Sequence, residues 1–540
     1  MATLDWIVLG VFALGLVGII FWVLSQKEKD TTDYFLAGKK AGWLSIGSSI
    51  FASNIGSEHL VGLAGAGFIS GMAMAHWEIQ AWLILILGWV FVPFYDRIKI
   101  FTMPEFLERR FAPNSRSVLS VISLVSYVLT KVAVTVYAGG VVFKTVFGIE
   151  SIWGIDFFWI SAVGLVVITG LYTIFGGMKA VMYTSVLQTP VLLIGSIVIL
   201  VVGLVKVGGW VEVERIAGDN MHLIRSASDP QFPWTGVLLG SAIIGFWYWC
   251  TDQYIVQRVL SGRDQKQARR GSILAGYFKL LPVFLFLIPG MVAFALSQKG
   301  LLQVSSSDSA FAAMVAQLLP SGISGVVVCG LLAALMSSLA SLFNSSAMLF
   351  TEDFYKKMKP GKDPKHYLRV GRIVTAVVVL LGIIWIPVML GLGKVLYAYL
   401  QGVQSLLAPA IASVFLLGVF WKRTTAKAAF WGMIIGFGIG MFRLVLDILS
   451  GSHFALHGFW LSIASINWLH FCIILFFLCI AVMVLISLMT KPSGQEHLRY
   501  TYYAATAAEK AGTRASWNKW DVIHSVIILG IVVAFYIYFW

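Results

Sequence analysis

Apolar stretches of about 20 residues, joined by short polar connections, follow one another along the whole chain. A helix needs about 20 apolar residues to cross the hydrocarbon core of a bilayer. The pattern predicts an all-α polytopic membrane protein with about fourteen transmembrane helices. They fall at roughly 5–24, 44–70, 73–95, 116–146, 155–176, 178–205, 234–260, 270–297, 321–355, 366–390, 394–420, 424–450, 463–489 and 521–540.

The second stretch departs from the pattern. Residues 51–67 read FASNIGSEHLVGLAGAG and place Ser53, Asn54, Gly56, Ser57, Glu58 and His59 where lipid should be. Such a cluster is costly in hydrocarbon. Gly56 and its neighbours can interrupt the helix, and the freed carbonyls and hydroxyls must then line a cavity. A discontinuous helix near the midplane marks a transporter's ion and substrate site.

Other polar positions within spans have two readings each. Glu78, between Trp77 and Gln80, is either a carboxylate of an interfacial belt or one facing a polar cavity. Lys279 lies too deep in its span to snorkel and needs a partner, for which Glu78 is the natural choice; the pair is structural or part of a site. Trp247, Tyr248 and Trp249 cannot all face lipid, so at least one ring turns inward to pack or to stack on a sugar. In ALMSSLASLFNSS, 334–346, Ser337 and Ser341 share one helix face and Ala334 and Ser338 another. Such a serine face is either small-residue packing or, opposite a broken helix, an oxygen cage for an alkali cation. Gln401, Gln404 and Pro409 mark a further polar, kinked span. The stripe from Tyr183 to Thr189 reads first as helix packing.

Composition agrees: 59% of the 540 residues are hydrophobic and only 12% charged. The net charge of +14 raises nucleic acid as a partner, but its distribution excludes that reading. Basic residues gather in every second connection, from Lys27 and Lys29 through Arg97 to Arg116, Arg258 to Arg270, and Lys356 to Arg372. This is the positive-inside asymmetry, which makes those loops cytoplasmic and both termini external. The first span has no basic residue before it and reads as a retained helix rather than a signal peptide. The four cysteines fall in or near spans and imply no disulfide framework. Asn344-Ser345-Ser346 lies within a span, so external loops carry no glycosylation acceptor, which points to a bacterial inner membrane. No His/Cys cluster or nucleophile elbow suggests an enzyme.

FASNIGSEHLVGLAGAG, MPEFLERRF, WYWCTDQYIVQRVL, GYFKLLPVFLFLIPGM, MSSLASLFNSSAMLFTEDFY and VFLLGVFWKR resemble the solute:sodium symporter family, most closely its sodium/glucose cotransporter branch. The likeness runs over roughly 30–490. It implies a LeuT-like five-plus-five inverted repeat with additional helices. The implied divisions are 1–43 with an extra helix, 44–205 the first repeat, 206–233 an external loop, 234–420 the second repeat, 421–489 two further helices, 490–520 a cytoplasmic linker and 521–540 a last helix.

The same resemblance implies site residues. Sodium would be held by Ala52, Ile55, Ala334, Ser337 and Ser338. The sugar would meet Asn54, His59, Glu78, Lys279 and Gln401, with Tyr248 as an inner gate stacked below it and Trp249 beside it. Leu63, Trp77 and Tyr397 match outer-gate positions. Ser185 and Ala340 stand where relatives with a second sodium site carry Asp and Thr, which implies one sodium per cycle. Gly245 and Ala81 replace polar pocket positions of some relatives, and Ala398 replaces an Asp of animal relatives. The expected function is sodium-driven symport of a neutral monosaccharide, glucose or galactose first. A myo-inositol or other polyol symporter is the alternative, with a proton-coupled variant and a non-transporting sugar sensor behind it.

Overall fold

The computed structural model describes residues 2–25, 30–56, 58–390, 396–450 and 457–540. It is almost wholly helical. Ten continuous helical stretches among the described residues are long and apolar enough to cross a membrane, and other crossings are made in pieces. α1 (Thr3–Ser25) begins with Asp5, whose carboxylate accepts from Gly322 N (2.6 Å), Ser324 Oγ (2.6 Å) and Gly325 N (3.0 Å). Those three donors open a distant helix, so Asp5 caps it from another part of the chain.

α2 (Trp43–Asn54) ends where Ile55 turns extended, with φ −78° and ψ 102°. The chain resumes as a π-helical turn, Glu58–Leu63, and then α3 (Ala64–Ser70). The next crossing, predicted as one span at 73–95, is a series of short pieces: Ala75–Glu78, Ala81–Ile86, a π-helical Leu87–Phe91 and Val92–Ile98. α4 (Met103–Arg110) is fixed by a capping box between Thr102 and Glu105, with Pro104 in its first turn. α5 (Pro113–Ser126) follows.

α6 (Phe157–Val207) joins two predicted spans, and the chain turns between them at Gly177, whose φ of 50° suits a residue without a Cβ. The connection 206–233 contains α7 (Trp210–Ala217), tied by Glu212 to Lys299 at 2.7 Å. α8 (Trp234–Phe246) and α9 (Gln253–Leu260) flank another π-helical turn, Trp247–Thr251. α10 (Gln265–Pro282) and α11 (Ile288–Gln298) flank a further one. α12 (Ile323–Met348) is the most buried long helix among the described residues and packs along α6. α13 (Leu396–Phe420) and α14 (Trp468–Met489) lie on the far side of the site.

Backbones approach closely where side chains are absent. A Cβ on Gly195 of α6 would lie 3.0 Å from Val327 Cα, and one on Gly330 of α12 would lie 3.0 Å from Leu192 Cα. α3 and α11 cross the same way: a Cβ on Gly67 would overlap the Leu287 carbonyl, and one on Gly290 the Ala64 carbonyl. Helix association in lipid rests on such close contact.

At one end of the bundle Asp353 is buried and gathers Arg116 (2.6 Å), Thr102 (2.9 Å) and Ser120 (2.7 Å). Glu108 extends the network to Arg116 and Lys357. Burial works against its ionisation, but the two cations outweigh it and hold the carboxyl below its ordinary range.

The stretch 490–520, predicted as a linker, instead carries folded structure. α15 (Ala507–Ala515) has a capping box from Thr506 and Glu509. Arg97 donates to the Thr501 (2.6 Å) and Tyr502 (3.3 Å) carbonyls, and Arg269 to Ser516 Oγ (2.6 Å). Polar composition hid this because its partners are arginines remote in sequence. α16 (Lys519–Tyr538) closes the chain.

Gly290→Ala should force α3 and α11 apart. The expected cost is about 1–3 kcal/mol, read as a lowered thermal unfolding midpoint in detergent. Gly164→Ala, where a Cβ meets nothing within 4 Å, should leave the midpoint unchanged.

Candidate functional site

The break after α2 leaves carbonyls without helical partners. That of Ser53 accepts from Tyr254 OH, and Ser53 Oγ lies 2.7 Å from Ser341 Oγ and takes a bond from Arg258 Nη2 at 3.1 Å. Among the described residues no backbone N–H bonds the carbonyls of Ala52 and Ile55. The serine face of α12 stands against them: a Cβ on Gly56 would lie 2.8 Å from Ser338 Oγ, so only glycine permits the approach. Tyr254 OH reaches Ser338 Oγ at 3.3 Å, and Ser185 Oγ reaches Ser337 Oγ at 3.2 Å. Ala334 precedes Ser337 and Ser338 by three and four residues, one turn away on the same side. All five residues matched to sodium are buried. They offer carbonyl and hydroxyl oxygens only, and no cluster of His, Cys, Asp or Glu suited to a metal ion occurs among the described residues. Neutral hard oxygens suit an alkali cation.

A polar-lined cavity lies beside the break. Asn54, His59, Glu78, Tyr248, Trp249, Lys279 and Gln401 all line it. Glu78 is held between Lys279 Nζ (2.5 Å) and His59 Nε2 (3.2 Å), all three buried. A carboxylate only accepts, so His59 Nε2 donates to Glu78. Lys279 also sits 5.3 Å from the Trp249 ring centre. Three buried polar atoms on the lining residues have no hydrogen-bond partner among the described residues: His59 Nδ1, Trp77 Nε1 and Gln401 Oε1. Buried polar atoms are nearly always paired, so unpaired ones on residues that line a cavity are unusual.

Trp77 lines the cavity, stacks on Trp468 at 5.6 Å between ring centres and meets Phe232 edge-on at 6.2 Å. Leu63 is buried in the turn after the break and does not line it. The side chain of Tyr397 lies outside the described residues. Gln80, Leu400 and Gln404 line the cavity without having been singled out for it.

Beneath the cavity the structure adds a second buried pair. Lys131 bonds Asp252 at 2.8 Å, and its ammonium lies 4.6 Å from the Tyr248 ring centre and 4.4 Å from that of Tyr254. Tyr127 OH also donates to Asp252. The depth argument that singles out Lys279 applies equally to Lys131, which lies within the predicted 116–146 span. A larger cavity opens among Trp89, Arg97, Lys266, Tyr502 and Glu509, but it shares no residue with the polar break.

The sodium:solute symporter family model matches residues 34–436. Sodium/glucose cotransporter 1 of Oryctolagus cuniculus is 35% identical over 533 residues, covering 91% of this chain and 80% of the relative. Sodium/myo-inositol cotransporter 2 of the same species is also 35% identical, over 534 residues, covering 92% and 78%. Among solved structures, a substrate-bound, outward-open Na+-coupled sialic acid symporter aligns with a TM-score of 0.75 at 21% identity, covering 92% of this chain and 99% of that one. Mhp1, a nucleobase-cation-symport-1 family transporter in a closed conformation, aligns at 0.51 and 14% identity, covering 86% and 96%. These two share the LeuT-like fold.

Removing either member of the Lys131–Asp252 pair strands a buried charge. Lys131→Met and Asp252→Ala should each cost about 3–5 kcal/mol. A double variant, Lys131→Met with Asp252→Ala, that unfolds as early as the two losses combined would show that the groups do not compensate each other; recovery towards wild type is expected.

Proposed function

The chain belongs to the sodium:solute symporter family, and from that premise we propose that it imports a neutral monosaccharide, glucose or galactose first, with one sodium ion per sugar. Sodium-coupled solute symport across a membrane follows from the family. The sugar reading rests on the cavity beside the break, where unpaired His59 Nδ1, Trp77 Nε1 and Gln401 Oε1 surround a charge-compensated Glu78–Lys279 pair. A polyhydroxylated solute supplies hydroxyls to each, and the lining adds no second cation to attract an anion. Trp249 and Tyr248 offer ring faces to the apolar side of a sugar.

Sodium binds at the carbonyls of Ala52 and Ile55 together with Ala334, Ser337 and Ser338. It neutralises the oxygens left by the break and so orders the segment that carries Asn54 and His59. Coupling is then the difference in sodium affinity between outward-open and inward-open states. Each charge moved down a potential of about 100 mV supplies about 2.3 kcal/mol. Tyr248 closes the cavity on one side, and Trp77 with Leu63 and Tyr397 on the other. Ser185 provides a hydroxyl rather than a carboxylate beside Ser337, which supports a single sodium. The basic loops face the cytoplasm and the termini lie outside, in a bacterial inner membrane.

A polyol such as myo-inositol is the second reading. It meets the same hydroxyl-seeking cavity, and a sodium/myo-inositol cotransporter is as similar to this chain as the glucose cotransporter.

Purified protein in proteoliposomes is expected to accumulate one of glucose, galactose or myo-inositol with an inward sodium gradient, and not with potassium or protons alone. Accumulation equal under all three gradients would overturn the ion assignment. Ser338→Ala should raise the sodium concentration for half-maximal uptake about tenfold, the loss of one ligand worth about 1.4 kcal/mol. Glu78→Ala and Gln401→Ala should each abolish or severely impair sugar uptake; normal uptake in both would mean that the pocket lies elsewhere.

A further inference from the structure

Gln80 and Gly245 lie against each other, and both line the cavity described above. Gln80 is buried, on the broken third crossing; Gly245 is near the end of α8. Gln80 Nε2 donates to the Ser241 carbonyl at 2.8 Å, one turn before Gly245. A carbonyl accepts only, so the amide nitrogen must be the atom that meets it. That fixes the other end of the amide: Oε1 is presented beside Gly245. No hydrogen bond to Oε1 occurs among the described residues. The space it occupies exists because residue 245 has no side chain. A Cβ there would overlap Oε1, lie 2.9 Å from Gln80 Cδ and 2.5 Å from a Leu83 methyl carbon.

Resting on the sugar or polyol reading above, we infer that Gln80 is a specificity-determining residue whose Oε1 accepts from one solute hydroxyl, and that Gly245 is the vacancy that admits it. One of the two amide hydrogens is committed to Ser241, while towards the solute Oε1 is the acceptor. A hydroxyl can satisfy it; an ether oxygen, a carbonyl or a deoxy position cannot. The polar group that lines this wall therefore comes from the third crossing, not from α8.

The test pairs variants with solute analogues, using whichever solute the wild type accumulates with sodium together with its set of single-deoxy analogues. Wild type should take one analogue about tenfold less well because of Gln80, and Gln80→Ala should erase that disadvantage for this analogue alone, the worth of one hydrogen bond. Gly245→Ala displaces the amide and should erase the same preference. Because it also presses on Leu83, it is compared with Gln80→Ala/Gly245→Ala, in which the two losses of preference should not add. Sodium for half-maximal uptake should stay within about twofold of wild type throughout, which reports a folded sodium site. Unchanged analogue discrimination in Gln80→Ala, or additive losses in the double variant, would overturn the assignment. A wild type that carries no sugar or polyol overturns the proposed substrate class instead. The same variants and half-saturation measurements on the solute it does carry still decide whether Gln80 and Gly245 act as one unit.

Discussion

A helix that stops inside a bilayer exposes carbonyls that lipid cannot satisfy. The rest of this structure is arranged around that constraint. The break after Asn54 survives because Tyr254 takes the Ser53 carbonyl, while Ser341 and Arg258 hold its hydroxyl. Gly56 lets the break lie against Ser338. What remains unsatisfied, at Ala52 and Ile55, is oxygen that a cation can use. The same polar interruption that costs the helix its hydrogen bonds is thus the feature on which the proposed ion site rests.

Charge is handled with equal economy. Glu78 and Lys279 compensate each other on the cavity wall, and Lys131 and Asp252 do so beneath Tyr248. Either charge alone would be costly at this depth. Six π-helical turns occur among the described residues, and those at 58–63 and 247–251 contribute to the cavity wall or its immediate edge. Such turns shift the facing of every residue that follows and recur at functional sites. Trp247, Tyr248 and Trp249 lie within one, so Tyr248 and Trp249 both reach the cavity although they are adjacent in sequence.

Much of the architecture was legible from apolar length alone, because each crossing must cover the same thickness of hydrocarbon. Glu78 and Lys279 stood out for the same reason: depth makes a charge conspicuous. Lys131 was equally deep but was passed over within a long span, and nothing in the sequence marks Asp5 as the cap of α12. Phe232 and Trp468 around Trp77, and Gln80 beside Gly245, carry no local signal. They are apolar or uncharged residues of ordinary type, and their meaning comes from neighbours remote in sequence. The folding of 490–520 was missed because its partners, Arg97 and Arg269, lie hundreds of positions away.

The sequence by itself determined that this is a membrane-spanning helical protein with a polar break in its second crossing, and its long motifs pointed to a symporter family. It could do so because hydropathy, charge asymmetry and an out-of-place polar cluster are properties of consecutive residues. Only the tertiary structure decided which polar atoms remain unpaired, which cation answers which carboxylate, and that the missing side chain at Gly245 is filled by Gln80. Those outcomes depend on distances between helices, and interhelical distance is set by packing in three dimensions, which one-dimensional spacing does not encode.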